Sequence, residues 1–122
     1  MNELRKSFHT DLQKAKSELV GLAASVTEAI PRATAVLLDG DLEGADLIIR
    51  GDDEIDARSL DIEEHCYRIL ALQSPVASDL RQVIALMKMV AEVERSTSPT
   101  IFISATTCRR SDATGDCRAR MR

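Results

Sequence analysis

The feature that most constrains the fold is a run of apolar or small residues between residues 45 and 69, at alternating spacings of three and four. This spacing is typical of a helix that buries one face against other helices. The run consists of Ala45, Ile48, Asp52, Ile55, Ser59, Ile62, Cys66 and Ile69. Its one charged member is Asp52, and a buried carboxylate is costly unless a cation or hydrogen-bond donors compensate it. The pattern predicts a core-forming helix from about Asp41 to Leu72 that carries an acid in its buried face.

A longer helix-forming pattern precedes this run. Apolar residues recur at spacings of three and four from Leu4 to Leu37, which predicts a helix from about Glu3 to Leu38. Pro31 falls inside this helix and should bend it, because proline removes a backbone hydrogen bond. Asp39-Gly40-Asp41 is so short a link that the first two helices must lie antiparallel.

A third helix is predicted from Pro75 to Arg95, with Ser74 as its N-cap and Pro75 as its first residue. Its apolar stripe consists of Leu80, Val83, Met87, Val90 and Glu94. A second acid, Glu94, therefore lies in a face that is expected to be buried. Asp79 and Arg81 flank the start of the stripe and are candidate residues for contact with a partner protein.

Composition narrows the fold class to all-α. The chain has no tryptophan, one tyrosine, two phenylalanines, five glycines and three prolines, which leaves little material for strands and turns. The net charge is −4, and five arginines lie in residues 96–122, so residues 1–95 are more acidic still. An acidic body argues against nucleic-acid binding. With neither a long apolar run nor a secretory leader, the expected location is the cytoplasm.

The character of the sequence changes after Arg95. Residues 96–122 contain β-branched residues, scattered arginines and no obvious helical period, so we expect an irregular or poorly ordered tail. The predicted organisation is a helical domain over residues 1–95 followed by this tail.

Four motifs together resemble the PhoU family of bacterial regulators of phosphate transport. They are Phe8 with its following helix, Gly51-Asp52-Asp53-Glu54-Ile55-Asp56, the stretch from Gln73 to Arg81, and Glu92-Val93-Glu94-Arg95. The resemblance covers residues 1–95. It implies an antiparallel three-helix bundle that is half of the six-helix bundle formed by the family's two repeats.

The resemblance also implies a metal site. Family members bind metal clusters through acidic motifs in which two carboxylates are four residues apart, and Asp52 and Asp56 match this spacing. The corresponding motif of the third helix starts at Glu94, but Ser98 stands where an acid is expected. The expected ion is Mg, Mn or Fe, because oxygen ligands suit hard cations. Without that acid and the second repeat, we expect weak metal binding or none.

By the same resemblance the protein is a regulator rather than an enzyme. It would act on a phosphate ABC transporter and a sensor histidine kinase, as a homodimer that reaches the membrane only through its partners. The output would be repression of phosphate-starvation genes and control of phosphate uptake. Two alternatives are a carboxylate-bridged metal protein with oxidase-type activity and a metal-free helical adaptor. The first is disfavoured because Ile62 stands where the Glu-x-x-His pair with His65 needs an acid.

The tail suggests a further hypothesis. With suitable codons from Arg95 onward, a neighbouring reading frame would spell a sequence that resembles the family's missing helix. Sequencing the gene tests whether residues 96–122 are such an out-of-frame translation.

Overall fold

The computed structural model describes residues 2–98, 100, 102, 103, 106 and 107. Three helices follow one another: α1 spans Asn2–Asp39, α2 spans Leu42–Gln73 and α3 spans Ser78–Arg95. Each helix packs against the other two, and the short links make successive helices antiparallel. The predicted all-α three-helix bundle is confirmed. In this part of the chain no helix is both long enough and apolar enough to cross a bilayer.

The link between α1 and α2 has the expected capping chemistry. Gly40 adopts a left-handed conformation, with φ of 65°, which ends α1 at low steric cost. Asp41 then caps α2, because its Oδ1 accepts a hydrogen bond from the Gly44 amide at 3.1 Å. α1 continues through Pro31 without interruption, as the apolar pattern predicts.

The link between α2 and α3 differs from the prediction. Ser74 caps the end of α2 in a left-handed conformation with φ of 40°, and α3 begins at Ser78 rather than Pro75. Ser74 precedes Pro75, and steric clash with the proline ring disfavours the right-handed helical region for that residue. Ala77 also has a positive φ of 49°, so two residues with side chains hold strained conformations in this loop.

The core lies between the middle parts of the three helices. It comprises Phe8, Leu12, Ala15, Leu19, Leu22 and Val26 of α1, Ile55, Ile62, Cys66 and Ile69 of α2, and Val83, Leu86 and Val90 of α3. Seven of the eight residues in the predicted α2 run are buried, and only Asp52 is partly exposed. Leu4, near the start of α1, was expected in the apolar face but is 69% exposed.

An irregular tail is expected over residues 96–122, and of the eight residues there that the structure describes, Ser96 and Thr97 form a turn. Ser98, Thr100, Phe102, Ile103, Thr106 and Thr107 have helical backbone. The side chains of Thr97, Thr100 and Thr107 are buried. Their spacing continues the buried face of α3 beyond Arg95, with threonine in place of larger apolar residues. Residues 108–122 lie outside the described part of the chain, and the reading-frame hypothesis stays a prediction about the gene.

Candidate functional site

The three predicted metal ligands lie around one cleft at the end of α3. Asp52 and Asp56 are one turn apart on α2, and the antiparallel course of α3 brings Glu94 to the same place. The cleft has a volume of about 420 Å³ and is lined by Asp52, Asp56, Ala91, Glu94, Arg95, Thr97 and Ser98. Asp52 is half-buried, whereas Asp56 and Glu94 are exposed. The prediction that Glu94 lies in the buried face of α3 is therefore wrong. We call this group of residues the acidic cleft.

The Asp52 carboxylate is poorly compensated. Its Oδ1 is buried and has no hydrogen-bond partner. Burial raises its pKa, as do the negative charges of Asp56, Asp53 and Glu94, whereas a side-chain hydrogen bond with Thr97 lowers it. The Thr97 hydroxyl also donates to the Glu94 carbonyl oxygen at 2.6 Å, and its single proton cannot serve both acceptors. A cation beside Asp52 would therefore relieve both repulsion and incomplete hydrogen bonding.

The fit of a metal ion to the acidic cleft is incomplete. Carboxylate oxygens suit a hard cation, and the unpartnered Oδ1 of Asp52 is a free ligand atom. However, no three His, Cys, Asp or Glu side chains in the described ranges are arranged to hold an ion together. Ser98 lines the cleft at the position where the family motif carries an acid. The assignment of Asp52, Asp56 and Glu94 as metal ligands thus stays a prediction.

The predicted partner residues lie at the opposite end of α3. Asp79 is half-buried in the first turn of α3 and lines a cleft of about 510 Å³ beside the α2–α3 link. Arg81 is exposed. Residues two apart on a helix point in different directions, so these side chains do not form one compact site. The 15-residue separation from Glu94 places them roughly 22 Å from the acidic cleft along the helix axis.

The threonines that follow Arg95 are part of the site but are not among the predicted site residues. Thr97 lines the acidic cleft together with Asp52 and Glu94. Thr100 lines a second cleft, to which Asp52 also contributes. The sequence does carry a signal, because Val90, Val93, Thr97 and Thr100 continue the spacings of three and four that define the buried face of α3. The β-branched residues of this stretch favour an irregular tail, which hides the helical spacing.

Histidine does not contribute to the acidic cleft. Nδ1 of His65 lies 3.3 Å from Oε2 of Glu18, in a different cleft between α1 and α2. The carboxylate-and-histidine arrangement of di-iron bundles is therefore not present around Asp52. This geometry gives no support to the oxidase alternative.

Comparison with known proteins gives one consistent result. Residues 19–98 match the PhoU domain. The chain is 40% identical to a phosphate-specific transport system accessory protein PhoU homolog from Aquifex aeolicus, over 70% of this chain and 38% of the relative. It is 36% identical to PhoU homolog 1 of Mycobacterium leprae, over 88% of this chain and 48% of the relative. For the homolog from Pseudomonas aeruginosa, identity is 33% over 77% of this chain and 39% of the relative.

The matches cover most of this chain but only part of each relative. The chain spans less than half the length of these three relatives. The match to the Mycobacterium leprae protein covers 88% of the chain and must therefore extend past Arg95. No solved structure gives a significant match.

Proposed function

Because the chain belongs to the PhoU domain family, we propose that it is an accessory regulator of a phosphate transport system. The observation that carries this proposal is the family match over residues 19–98, which includes all of α2 and α3 and the acidic cleft. The relatives are named as accessory proteins of phosphate-specific transport. We assign the chain the same role in phosphate homeostasis, with negative regulation of phosphate-starvation genes as its output.

The proposed mechanism is contact between helix faces rather than catalysis. Each helix exposes large apolar side chains, which include Val20 on α1, Leu60 and Tyr67 on α2, and Ile84 and Met89 on α3. Exposed apolar surface of this kind is typical of protein–protein contact. The proposed partners are the phosphate ABC transporter and its sensor histidine kinase in the cytoplasm, and a second copy of the chain.

Asp79 and Arg81 are proposed to provide the polar part of the partner contact. Arg81 is exposed and forms no ion pair with the residues that the structure describes. It can therefore bind a carboxylate on a partner without first breaking an internal interaction. Asp79 is beside the apolar side chains of Leu4 and Val76, which are 69% and 74% exposed.

We also propose that Mg, Mn or Fe binds weakly in the acidic cleft. Asp52, Asp56 and Glu94 would hold the ion, which would neutralise Asp52 and stabilise the contact between α2 and α3. Its role would be to fix the shape of this end of the bundle. Solvent would have to complete the coordination, because Ser98 supplies no charge.

Complementation tests the proposed function directly. A strain without its PhoU protein should regain control of phosphate uptake and repress a phosphate-starvation reporter when it expresses this chain. Arg81→Ala should reduce the effect, whereas Arg50→Ala should not, because Arg50 is an exposed α2 arginine already paired with Asp46 at 3.0 Å. A stable, well-expressed chain with no effect on either readout would contradict the proposal.

A further inference from the structure

A half-buried arginine, Arg58, connects α2 to α1. Its Nη1 donates to the Ser25 hydroxyl oxygen at 2.9 Å, and that hydroxyl donates to the Gly21 carbonyl oxygen at 3.1 Å. Gly21 makes room for the guanidinium, since a Cβ at this position would lie 3.2 Å from Nη2. Two residues of α1 therefore orient Arg58 in the groove between the helices.

The charge of Arg58 is not neutralised by the protein groups that the structure describes. None of the four ion pairs in the described part of the chain includes it, so no carboxylate there lies within 4.0 Å. A guanidinium has five N–H groups and keeps its charge at all physiological pH values. Among the described residues, the Arg58 guanidinium donates one hydrogen bond, to the Ser25 hydroxyl oxygen. Arg58 therefore offers both charge and donors to a ligand.

Arg58 also lines a cleft of about 410 Å³, together with Lys14, Glu18, Asp61, Ile62, Glu64, His65 and Arg68. Two of its acids already have partners: Glu18 lies 3.3 Å from His65, and Glu64 lies 3.3 Å from Arg68. With histidine counted as neutral, the positive charges of Lys14, Arg58 and Arg68 balance the negative charges of the three acids in the lining. Lys14 and Arg58 are the two cations of this lining that form no ion pair with the residues that the structure describes.

We propose that this cleft binds a tetrahedral oxyanion of the phosphate class, with Arg58 as its anchor and Lys14 as a second cation. The guanidinium fork matches two oxygens of such an anion, and the lysine contributes a mobile point charge from α1. The cleft volume admits a free anion or a small phosphate ester. This cleft shares no lining residue with the acidic cleft, and anion binding here does not depend on the proposed regulatory function.

Titration with inorganic phosphate, followed by NMR and calorimetry at constant ionic strength, tests the site. We expect saturable binding, with the amide signals of Ser25 and Arg58 among those that shift. Arg58→Gln should weaken binding at least about tenfold, the loss expected when a charged, forked partner is removed. Arg50→Gln removes the same charge from an exposed position of α2 and should leave affinity within about twofold.

A lysine variant and a second ligand complete the test. Lys14 is exposed, so Lys14→Gln will fold, and it should weaken binding about threefold, as for an exposed charge pair. If O-phosphoserine binds more tightly than inorganic phosphate, a phosphate ester is the ligand; if it binds equally or less tightly, the ligand is the free anion. The proposal is overturned if binding never saturates, if chloride reproduces the shifts, or if Arg50→Gln costs as much as the cleft variants.

Discussion

The two ends of the bundle differ in what fills the space between α1 and α2. In the middle and toward the α2–α3 link, the buried side chains of the three helices are apolar except Ser59, whose hydroxyl donates to the Asp56 carbonyl oxygen. Toward the α1–α2 link the buried positions are Ala33, Ala45 and Ile48, followed by half-buried Asp52. The same spacing of three and four runs through both parts of α2. Periodicity therefore shows which residues face inward, but it does not show what they meet there.

The difference follows from the unequal lengths of the helices. α1 has 38 residues and α2 has 32, but α3 has only 18 and ends at Arg95. Beyond that point Thr97 and Thr100 line a cleft together with residues of α1 and α2, and they bring hydroxyl groups there. Thr107 is buried as well. A polar cover is compatible with a carboxylate in the inward face.

The largest effect should come from weakening the apolar end. Leu22 is fully buried, and Leu22→Ala should lower the free energy of unfolding by about 3 kcal/mol because it leaves a cavity in the core. Leu47→Ala removes the same atoms from a side chain that is 61% exposed and should cost less than about 0.5 kcal/mol. Urea denaturation of both variants measures the contrast, and equal losses would show that the core is placed wrongly.

Removing the polar cover should have the next largest effect. A chain that stops after Arg95 should be less stable by about 2 kcal/mol than one that stops after Thr107, because it loses three buried threonines. Thermal unfolding followed by far-UV circular dichroism compares the two. Equal melting temperatures would mean that the tail contributes nothing to the acidic end.

A new acid in the acidic cleft should strengthen metal binding. Ser98→Asp adds a carboxylate beside Asp52 and Glu94, and we expect about tenfold tighter binding of Mn²⁺, or about 1.4 kcal/mol. Ser78→Asp adds the same charge at the start of α3 and should leave affinity unchanged. Calorimetric titration with Mn²⁺ measures the affinity of both variants. A tenfold gain in both would show that the net charge of the protein, rather than the position of the new acid, strengthens binding.

The smallest effect concerns Asp52 itself. Because its pKa is raised in the folded state, its ionised form destabilises the protein above that pKa. Asp52→Asn should therefore raise stability at pH 7, by about 0.5–1 kcal/mol after allowance for solvent screening. The gain should shrink as the pH falls through the raised pKa and disappear below about 3.8, the ordinary value for aspartate, because wild-type Asp52 is then protonated in both states.

Asp53→Asn is the control for this measurement, because Asp53 is exposed and adjacent. Its effect on denaturation midpoints between pH 4 and 7 should be much smaller. A gain for Asp52→Asn that persists unchanged at low pH would contradict an electrostatic origin.

Much of the fold could be predicted because helix periodicity is local. The α2 face was predicted residue by residue, and Gly40 and Asp41 were identified as the stop and start of helices. The start of α3 was not predicted, since Ser74 suits an N-cap as well as the left-handed C-cap that it forms. The contact of Arg58 with Ser25 depends on how α1 and α2 are rotated about their axes, which the spacing within one helix does not determine.

The acidic cleft was predicted in part. Asp52, Asp56 and Glu94 do meet at one place, because antiparallel helices bring the start of α2 to the end of α3. The number of ligands around an ion was not predictable, because it depends on side-chain directions and on the residues that follow Arg95. The residues that follow Arg95 and line the acidic cleft are Thr97 and Ser98.

The brevity of the link at Gly40 and Asp41 has a kinetic consequence. α1 and α2 are neighbours in sequence as well as in space, and their mutual contacts outnumber those that either makes with α3. Chains dominated by local contacts fold in microseconds to milliseconds. The helical hairpin of α1 and α2 can thus form first, and the last helix then docks onto a surface that is already formed.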